Sequence, residues 1–443
     1  MLFKKSLQKT LPQLSLRTTN NFASNYRAFS VALPTYAAKK PIARKTVASS
    51  FKKKPKSFES KSDYYEDSKN DNKNPNYYKQ RTKLQFETLS FDHLINDSQD
   101  SLYSINGQLA KAYGPVPFPP QLSETFDTMG NYGLVLRDAS KAVLQKVADS
   151  SLNVATKPLI LDGGSGSGKS ATLLQAVSCA RQAGWFLLYS GNSKVFLLWV
   201  NSSTAYSPDG SKPSKFYQLN LVSSILSNLI AANQSDILEE KIKLQKDYVI
   251  NNNKFAAGTP IIKVIELGAN FPSLSFKAFE IVLETISNQT EVPVMIAIDH
   301  LNTFFSKSLY TDQEDNRIYS NRLLLVESLL PYFGELTSKS NNLQDYPKKS
   351  LKRGIVIGAT SKVDNQFLAK DFLNYIDTEA KTSNDVEVIN IPNFTKSEIE
   401  KLLKYYSFSD FLSYDPSDQN LLKLLSLTSG NPKQIYKYCK KFV

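Results

Sequence analysis

Between Leu161 and Ser170 the chain reads LDGGSGSGKS, and no other stretch restricts the fold so tightly. Gly163, Gly164, Ser165, Gly166, Ser167, Gly168, Lys169 and Ser170 fit the spacing G-x-x-x-x-G-K-[ST]. That spacing makes a phosphate-binding loop when a strand leads into it and a helix leaves it. Both flanks are present: PLILD at 158–162 is a short apolar strand, and SATLLQAVSCARQA at 170–183 has the composition of a helix. The glycines let backbone N–H groups turn inward at a helix N-terminus, whose dipole favours an anion. In that geometry Lys169 reaches the β- and γ-phosphates and the Ser170 hydroxyl ligates Mg²⁺. The expected ligand is a nucleoside triphosphate with its metal.

The rest of the chain supplies the framework that such a loop needs. Apolar runs at WFLLY (185–189), VFLLWV (195–200), PVMIAID (293–299) and GIVIGAT (354–360) are short enough to be buried strands. Helical patterns at 139–150, 217–232, 274–288 and 319–338 fall around and between them. This alternation predicts an α/β fold, a parallel sheet with helices on both faces. GPVPFPPQL at 114–122 reads as extended, because each Pro disfavours helix for the residue before it. Polar loops are expected at 201–216 and 340–353. From about 386 the pattern becomes a short extended piece followed by helices, which suits a small C-terminal helical lid. The expected organisation is an N-terminal extension at 84–150 packing on the core, a P-loop domain at 151–385 and the lid at 386–443.

A P-loop needs a second acid on the metal side. Asp299 ends the apolar strand VPVMIAID and would sit beside the loop at the carboxyl end of the sheet. A turn-capping Asp is the other reading. Working ATPases of this architecture place Glu after that acid to polarise the attacking water, and here His300 stands there. The expectation is nucleotide binding with slow or absent hydrolysis, and no catalytic residue is assigned. Thr360 and Ser361 follow the strand GIVIGA and are candidates either for contact with the γ-phosphate or for a helix cap. Lys433, in SGNPKQ at 429–434, is placed to approach the nucleotide from the lid or to remain solvated.

The net charge of +13 has one source: before Glu59 there are thirteen Lys and Arg and no acid, and the 41 basic residues beyond balance the 41 acidic ones. A basic, acid-free, Ser- and Leu-containing leader suits a mitochondrial presequence at 1–29, with Arg27-Ala28-Phe29-Ser30 like a matrix processing site. A basic tail that binds nucleic acid is the other reading. Residues 30–83 read as a basic, then polar arm, disordered or extended. In its polar stretch 59–82, Tyr64, Tyr65, Tyr77 and Tyr78 are suited to stacking on RNA bases or packing on a protein, or are simply solvated. Cys179 and Cys439 show no metal spacing and no disulfide framework, and His93 and His300 are too few for a histidine-rich metal site. No apolar run reaches the roughly 18 residues of a spanning helix, so membrane insertion is not expected.

Taken together, GGSGSGKS, LLWVNSS (197–203), FYQLNLVSSIL (216–226), VPVMIAIDHLNTFF (292–305), GIVIGATSK (354–362) and SGNPKQIYKYC (429–439) resemble the death-associated protein 3 family, the nucleotide-binding proteins of the mitochondrial small ribosomal subunit. The length and leader resemble a fungal member. The resemblance implies an AAA+-like P-loop NTPase fold and a place in the mitochondrial matrix, within the small subunit. It implies contacts to small-subunit rRNA and neighbouring ribosomal proteins, and bridge contacts to the large subunit. It implies a purine nucleotide, GTP or GDP with Mg²⁺, held at Gly163, Gly168, Lys169, Ser170 and Asp299. No NKxD guanine signature follows the loop, so ATP stays possible. The competing reading is an active matrix ATPase or GTPase acting as a chaperone or assembly factor, for which Arg317 and Arg322 are candidate arginine fingers. A small-molecule kinase would want an Arg-rich lid, and no Arg follows residue 360.

Overall fold

In a computed structural model, residues 86–94, 102–105, 107, 109, 118–152, 156–194, 215–311, 315–337, 348–363, 367–378, 380–382, 385–412 and 417–442 are described. The expected presequence and arm, the run VFLLWV and most of the loop after it lie outside these residues, as does LLWVNSS.

Two short strands, β1 (Leu102–Ser104) and β2 (Gly133–Val135), pair antiparallel, and helix α1 (Pro120–Met129) lies between them in sequence. Pro120 occupies the first turn of α1, where its missing N–H costs nothing. Helix α2 (Asp138–Ser150) leads to β3 (Leu159–Asp162), the P-loop, α3 (Lys169–Gln182) and β4 (Phe186–Ser190). Then come α4 (Leu219–Ala232), the hairpin of β5 (Tyr248–Ile250) and β6 (Asn253–Phe255), α5 (Ile261–Asn270) and α6 (Pro272–Asn288). After β7 (Val294–Asp299), strands β8 (Lys307–Thr311) and β9 (Arg317–Tyr319) form a second hairpin, followed by α7 (Leu324–Leu329), β10 (Gly354–Ala359) and α8 (Lys370–Thr378). The chain closes with β11 (Glu387–Asn390), α9 (Lys396–Phe408), α10 (Asp418–Thr428) and α11 (Pro432–Cys439).

The central sheet is parallel throughout, in the order β11-β3-β10-β7-β4. Both of its faces are covered, and the strand residues show how. Val294, Ile296 and Ile298 enter one apolar cluster with α4, α5 and α6, whereas Met295 and Ala297 enter a second with α2 and α3. Because successive side chains point to opposite faces, a strand buried on both must be apolar at every position. That is why VMIAI reads as an unbroken run. The expected α/β class with helices on both faces is what the structure has.

The C-terminal helices have a core of their own. Ile399, Leu402, Leu403, Tyr406, Leu421, Leu424 and Ile435 pack together with Phe394. Met129 and Val135, from the N-terminal segment, join this cluster, while the neighbouring Phe126 and Leu136 belong to the sheet's. The segment around β2 therefore bridges the two cores.

Three readings change. The continuous helix expected at 319–338 is broken: Arg317–Tyr319 is a strand, Ser320–Arg322 a 3₁₀ turn, Leu324–Leu329 an α-helix and Leu330–Thr337 a 3₁₀ run. Pro331 has no N–H for an α-helical bond, and Gly334 turns to φ 63, ψ −140. The extended residues at 387–390, read with the lid, pair with β3 as an edge strand of the sheet. At the end of the Pro-rich stretch 114–122, Pro120 already opens α1.

Candidate functional site

The site lies at the carboxyl ends of the sheet strands, where a parallel sheet places its ligands. Ala359, the last residue of β10, is in register with Leu161 on one side and Asp299 on the other. Asp162 and Asp299 therefore end β3 and β7, and Thr360 follows β10 between them, at the same end of the sheet.

The P-loop curls out of β3 through glycines that only glycine can supply. Gly163 has φ 149 and Gly166 φ 78. A Cβ on Gly163 would stand 2.4 Å from the Ile391 carbonyl oxygen, and one on Gly166 2.7 Å from Lys433 Cβ. Lys169 opens α3 and is 6% exposed. Its Nζ donates to the carbonyls of Gly163, at 2.9 Å, and Gly164, at 2.8 Å. Burial pushes its amine down to about 8, against the pull of Asp162 and Asp299 and with a contribution from the charge of Lys362.

The two acids are held differently. Burial of Asp162 favours its neutral form, but the Thr360 hydroxyl and the Lys362 ammonium outweigh this and hold the carboxyl below its ordinary value. Thr360 Oγ1 donates to Asp162 Oδ1 at 2.5 Å, and Lys362 Nζ lies 3.2 Å from Oδ2. Asp299 is fully buried. Its Oδ1 accepts the His300 N–H at 2.8 Å, while Oδ2 has no hydrogen-bond partner among the described residues. A buried carboxylate oxygen left this way is costly unless a cation or donor meets it. Magnesium held through one or two carboxylates and substrate phosphates asks for just such an oxygen. The glycine cradle, the buried Lys169 and this oxygen together fit a magnesium nucleotide. No cluster of three or more His, Cys, Asp or Glu suited to a metal occurs among the described residues.

His300 follows in the left-handed region, φ 57, and its carbonyl accepts from Ser193 Oγ at 3.0 Å. Its Nδ1 lies 3.5 Å from Asp299 Oδ1, and the residue borders the cleft.

That cleft, ≈ 510 Å³, opens between the P-loop, α1, β2 and the C-terminal helices. The volume suits a small-molecule ligand. Arg137, Lys169, Lys194, Lys362, Lys433, Lys437 and Lys440 line it, against one acid among the lining residues, Glu124. A pocket so biased concentrates anions. The remaining wall is apolar and aromatic, with Leu134, Leu402, Tyr405 and Tyr436.

The C-terminal helices grip the loop itself. Asn431, the N-cap of α11, accepts the Gln434 N–H at 3.2 Å and donates its amide to the Ser165 carbonyl at 2.8 Å. From the core side, buried Arg137 donates to the Ser167 carbonyl (3.0 Å) and to those of Pro392 (2.8 Å) and Asn393 (3.1 Å). Its Nε bonds Glu398 at 3.1 Å, and its guanidinium lies 4.3 Å from the centre of the Phe394 ring. Glu398 is also the reciprocal partner in the Thr395 capping box that starts α9.

Ser165 to Ser170, Thr360, Ser361 and Lys433 line the cleft, while Asp299 is buried and is not among the lining residues. Gly163 and Gly164 shape the loop without lining it. Thr360 is engaged by Asp162 and caps no described helix. Arg317 and Arg322 border no part of the cleft, and Arg322 lies over the Phe216 ring. Sequence reasoning missed Arg137, Asp162, Lys194, Lys362, Asn431 and Lys437. Lys362 stood inside the quoted GIVIGATSK and Asp162 at the end of PLILD, but nothing local marked Arg137.

The profile of a family described as "Mitochondrial ribosomal death-associated protein 3" matches residues 134–438. Similar proteins include "Small ribosomal subunit protein mS29" of Mus musculus, 22% identical over 347 residues, covering 76% of this chain and 84% of that one. The protein of the same name from Schizosaccharomyces pombe is 21% identical over 399 residues, covering 81% and 80%. Among solved structures, a Walker-type ATPase of Pyrococcus abyssi is similar at TM-score 0.36 and 14% identity, over 68% of this chain and 66% of that one.

Proposed function

The chain belongs to the mitochondrial ribosomal death-associated protein 3 family, and from that premise we propose that it is a component of the small subunit of the mitochondrial ribosome, in the matrix, which holds a purine nucleotide as a structural element. The family match, running from β2 through α11, carries the ribosomal half of this reading. The nucleotide half rests on the P-loop geometry, above all on Lys169 and Asp299 Oδ2 buried at one sheet edge.

In this reading Ser165 to Ser170 present backbone donors to the phosphates, Lys169 supplies charge, and Ser170 and Asp299 serve the Mg²⁺. The bound nucleotide adds negative charge to a cleft whose lining holds more cations than acids. Arg137 and Asn431 hold the loop carbonyls and so fix the loop against the lid. With His300 in place of a glutamate, no carboxylate follows Asp299 to orient water, and retention of the nucleotide is favoured over turnover. The resemblance favours GTP or GDP over ATP. The partners are small-subunit rRNA, neighbouring ribosomal proteins and the large subunit across a bridge. Among the described residues no helix is long and apolar enough to cross a membrane.

The test is sedimentation of a salt-washed mitochondrial lysate through a sucrose gradient, with chromatography of the nucleotide released from the fraction that carries this chain. Comigration with the small subunit and one equivalent of intact guanine nucleotide is expected. A chain that stays at the top of the gradient would overturn the ribosomal reading, and a ribosome-bound chain without nucleotide would overturn the other.

A further inference from the structure

The carboxyl end of the sheet holds the cleft, and the amino end carries a different surface. Immediately before β10 the chain reads KKSLKR, Lys348 to Arg353, four cations in six residues without an acid. A polar loop is what this composition suggests, yet the structure makes it a fixed ledge. The Lys349 N–H donates to the Pro331 carbonyl and the Lys352 N–H to the Ser287 carbonyl, each at 3.0 Å, and the Arg353 carbonyl accepts the Val294 N–H at 3.1 Å. The Arg353 guanidinium donates to the carbonyls of Ser151 (2.8 Å), Thr290 (3.0 Å) and Glu291 (2.8 Å). Leu351, 3% exposed, anchors the ledge from beneath. The segment is thus tied to the end of α2, to α6 and to the entry of β7.

Lys348, Lys349, Ser350 and Lys352 are exposed on this ledge. The entry of β3 lies beside it: Thr156 Oγ1 donates to the Gly354 carbonyl at 2.5 Å, which sets the exposed Lys157 at the same end of the sheet. Two acids stand nearby. Asp385 pairs with Lys348 at 3.0 Å, and Glu291 is exposed on the connector into β7. Lys157, Lys349 and Lys352 form no ion pair within the described residues, and the Lys349 amine lies 5.9 Å from the centre of the Tyr332 ring. A protein interface depletes lysine at its core and enriches aromatic side chains there. In KKSLKR the one apolar residue is turned inward and the lysines outward. Phosphate contact asks for that arrangement: compact charges on flexible stems, carried by a backbone whose own bonds are already made.

We infer that Lys157, Lys349 and Lys352 form a docking face for the phosphate backbone of RNA, at the end of the sheet opposite the nucleotide. Recognition there is by charge and independent of base sequence. The inference rests on the ribosomal reading only for the source of the RNA, which in the assembled particle is that of the small subunit. The two ends of the sheet then have separate tasks, nucleotide at the carboxyl end and RNA at the amino end.

The test is fluorescence anisotropy of the purified full chain with a short labelled single-stranded RNA of mixed sequence, over about 50 to 200 mM salt. The triple variant Lys157→Gln, Lys349→Gln, Lys352→Gln is compared with a charge-matched control, Lys263→Gln, Lys277→Gln, Lys423→Gln, at exposed positions elsewhere. The basic residues before Glu59 are the same in every variant, so the differences report the folded body. Losing three phosphate contacts should lower the slope of log K against log salt by about 2, at roughly 0.7 per contact, and weaken binding about tenfold or more near 0.1 M salt. The control should change neither by more than about a third of that. Thermal melting shows that both triples are folded. Equal effects in the two triples, or an effect in neither, overturn the face. Unchanged RNA affinity in a triple variant that no longer sediments with the small subunit also overturns it, and gives the face to a protein neighbour. A wild type that does not sediment with the subunit sinks the ribosomal reading, while the anisotropy still decides the face.

Discussion

Arg137→Ala would remove one side chain and disconnect three parts of the molecule. The guanidinium is 4% exposed as part of its residue and satisfies carbonyls on the P-loop and on the connector from β11 to α9, besides Glu398. Breaking a buried ion pair from one side costs about 3–5 kcal/mol. The Glu398 carboxylate keeps its capping-box bond from the Thr395 N–H at 2.8 Å, which argues for the lower figure. Of the three carbonyls left without this donor, that of Ser167 is buried and adds about 1 kcal/mol, while those of Pro392 and Asn393 are partly exposed and can turn to water. A total near 4 kcal/mol, spread over an unfolding entropy of about 0.6 kcal/mol/K for the roughly 290 described residues, lowers Tm by about 6–7 °C.

The loss should not be uniform. Arg137 joins two cores and lies inside neither, so its removal loosens the connection before it loosens the sheet. Hydrogen exchange by mass spectrometry would read this directly. Amides of the P-loop and of α9 to α11 are expected to lose protection in Arg137→Ala, while those of β7 and β10 keep theirs. Glu398→Gln, which still fits the capping box, should cost less than half as much. An unchanged Tm, or a protection loss distributed evenly over the sheet, would refute the reasoning.

Lys169→Ala is expected to abolish the nucleotide-dependent rise in thermal stability, which for the wild type should be about 2.7 kcal/mol at a hundredfold excess over Kd. The same lysine makes stability depend on pH without nucleotide. Its amine titrates near 8 in the folded chain against 10.5 ordinarily, so the folded state binds fewer protons between those values. Stability should therefore rise from pH 8 to 10.5 in the wild type relative to Lys169→Met, and the difference should vanish when phosphate pairs with the amine. Asp299→Asn keeps the acceptor for the His300 N–H and removes a buried carboxylate with one unpartnered oxygen. It should leave the melting temperature without ligand equal or higher, and reduce the advantage that Mg²⁺ gives nucleotide binding by tenfold or more; an unchanged Mg²⁺ dependence would remove Asp299 from the metal site. His300→Glu places a carboxylate after Asp299, and phosphate release from added triphosphate should exceed the wild-type rate, with the backbone at φ 57 already adopted by a residue that has a Cβ; no gain would mean that the missing acid is not what limits turnover.

The parts of this site that could be read from the chain are those whose requirements are local. A strand buried on both faces must be apolar at each position, so β3, β7 and β10 announce themselves, and a loop that wraps phosphate needs its glycines at fixed spacing. Edge strand β11 has partly covered positions and only four residues, Glu387 to Asn390, so EVIN carries no such mark. Arg137 shows the other limit. Its partners lie 30 residues away at Ser167 and 261 away at Glu398, and neither distance corresponds to a period or a motif. Asp162 looked like the end of a strand because its use depends on β10 arriving next to β3, which brings Thr360 and Lys362 to it. What sequence pattern concealed was thus the attachment of the loop to the lid. Arg137, Asn431 and Lys433 all reach the phosphate loop from outside the strand–loop–helix unit, and two of the three hold its carbonyls rather than any ligand. In the reading proposed above, a loop braced in this way from two sides is suited to retaining a nucleotide.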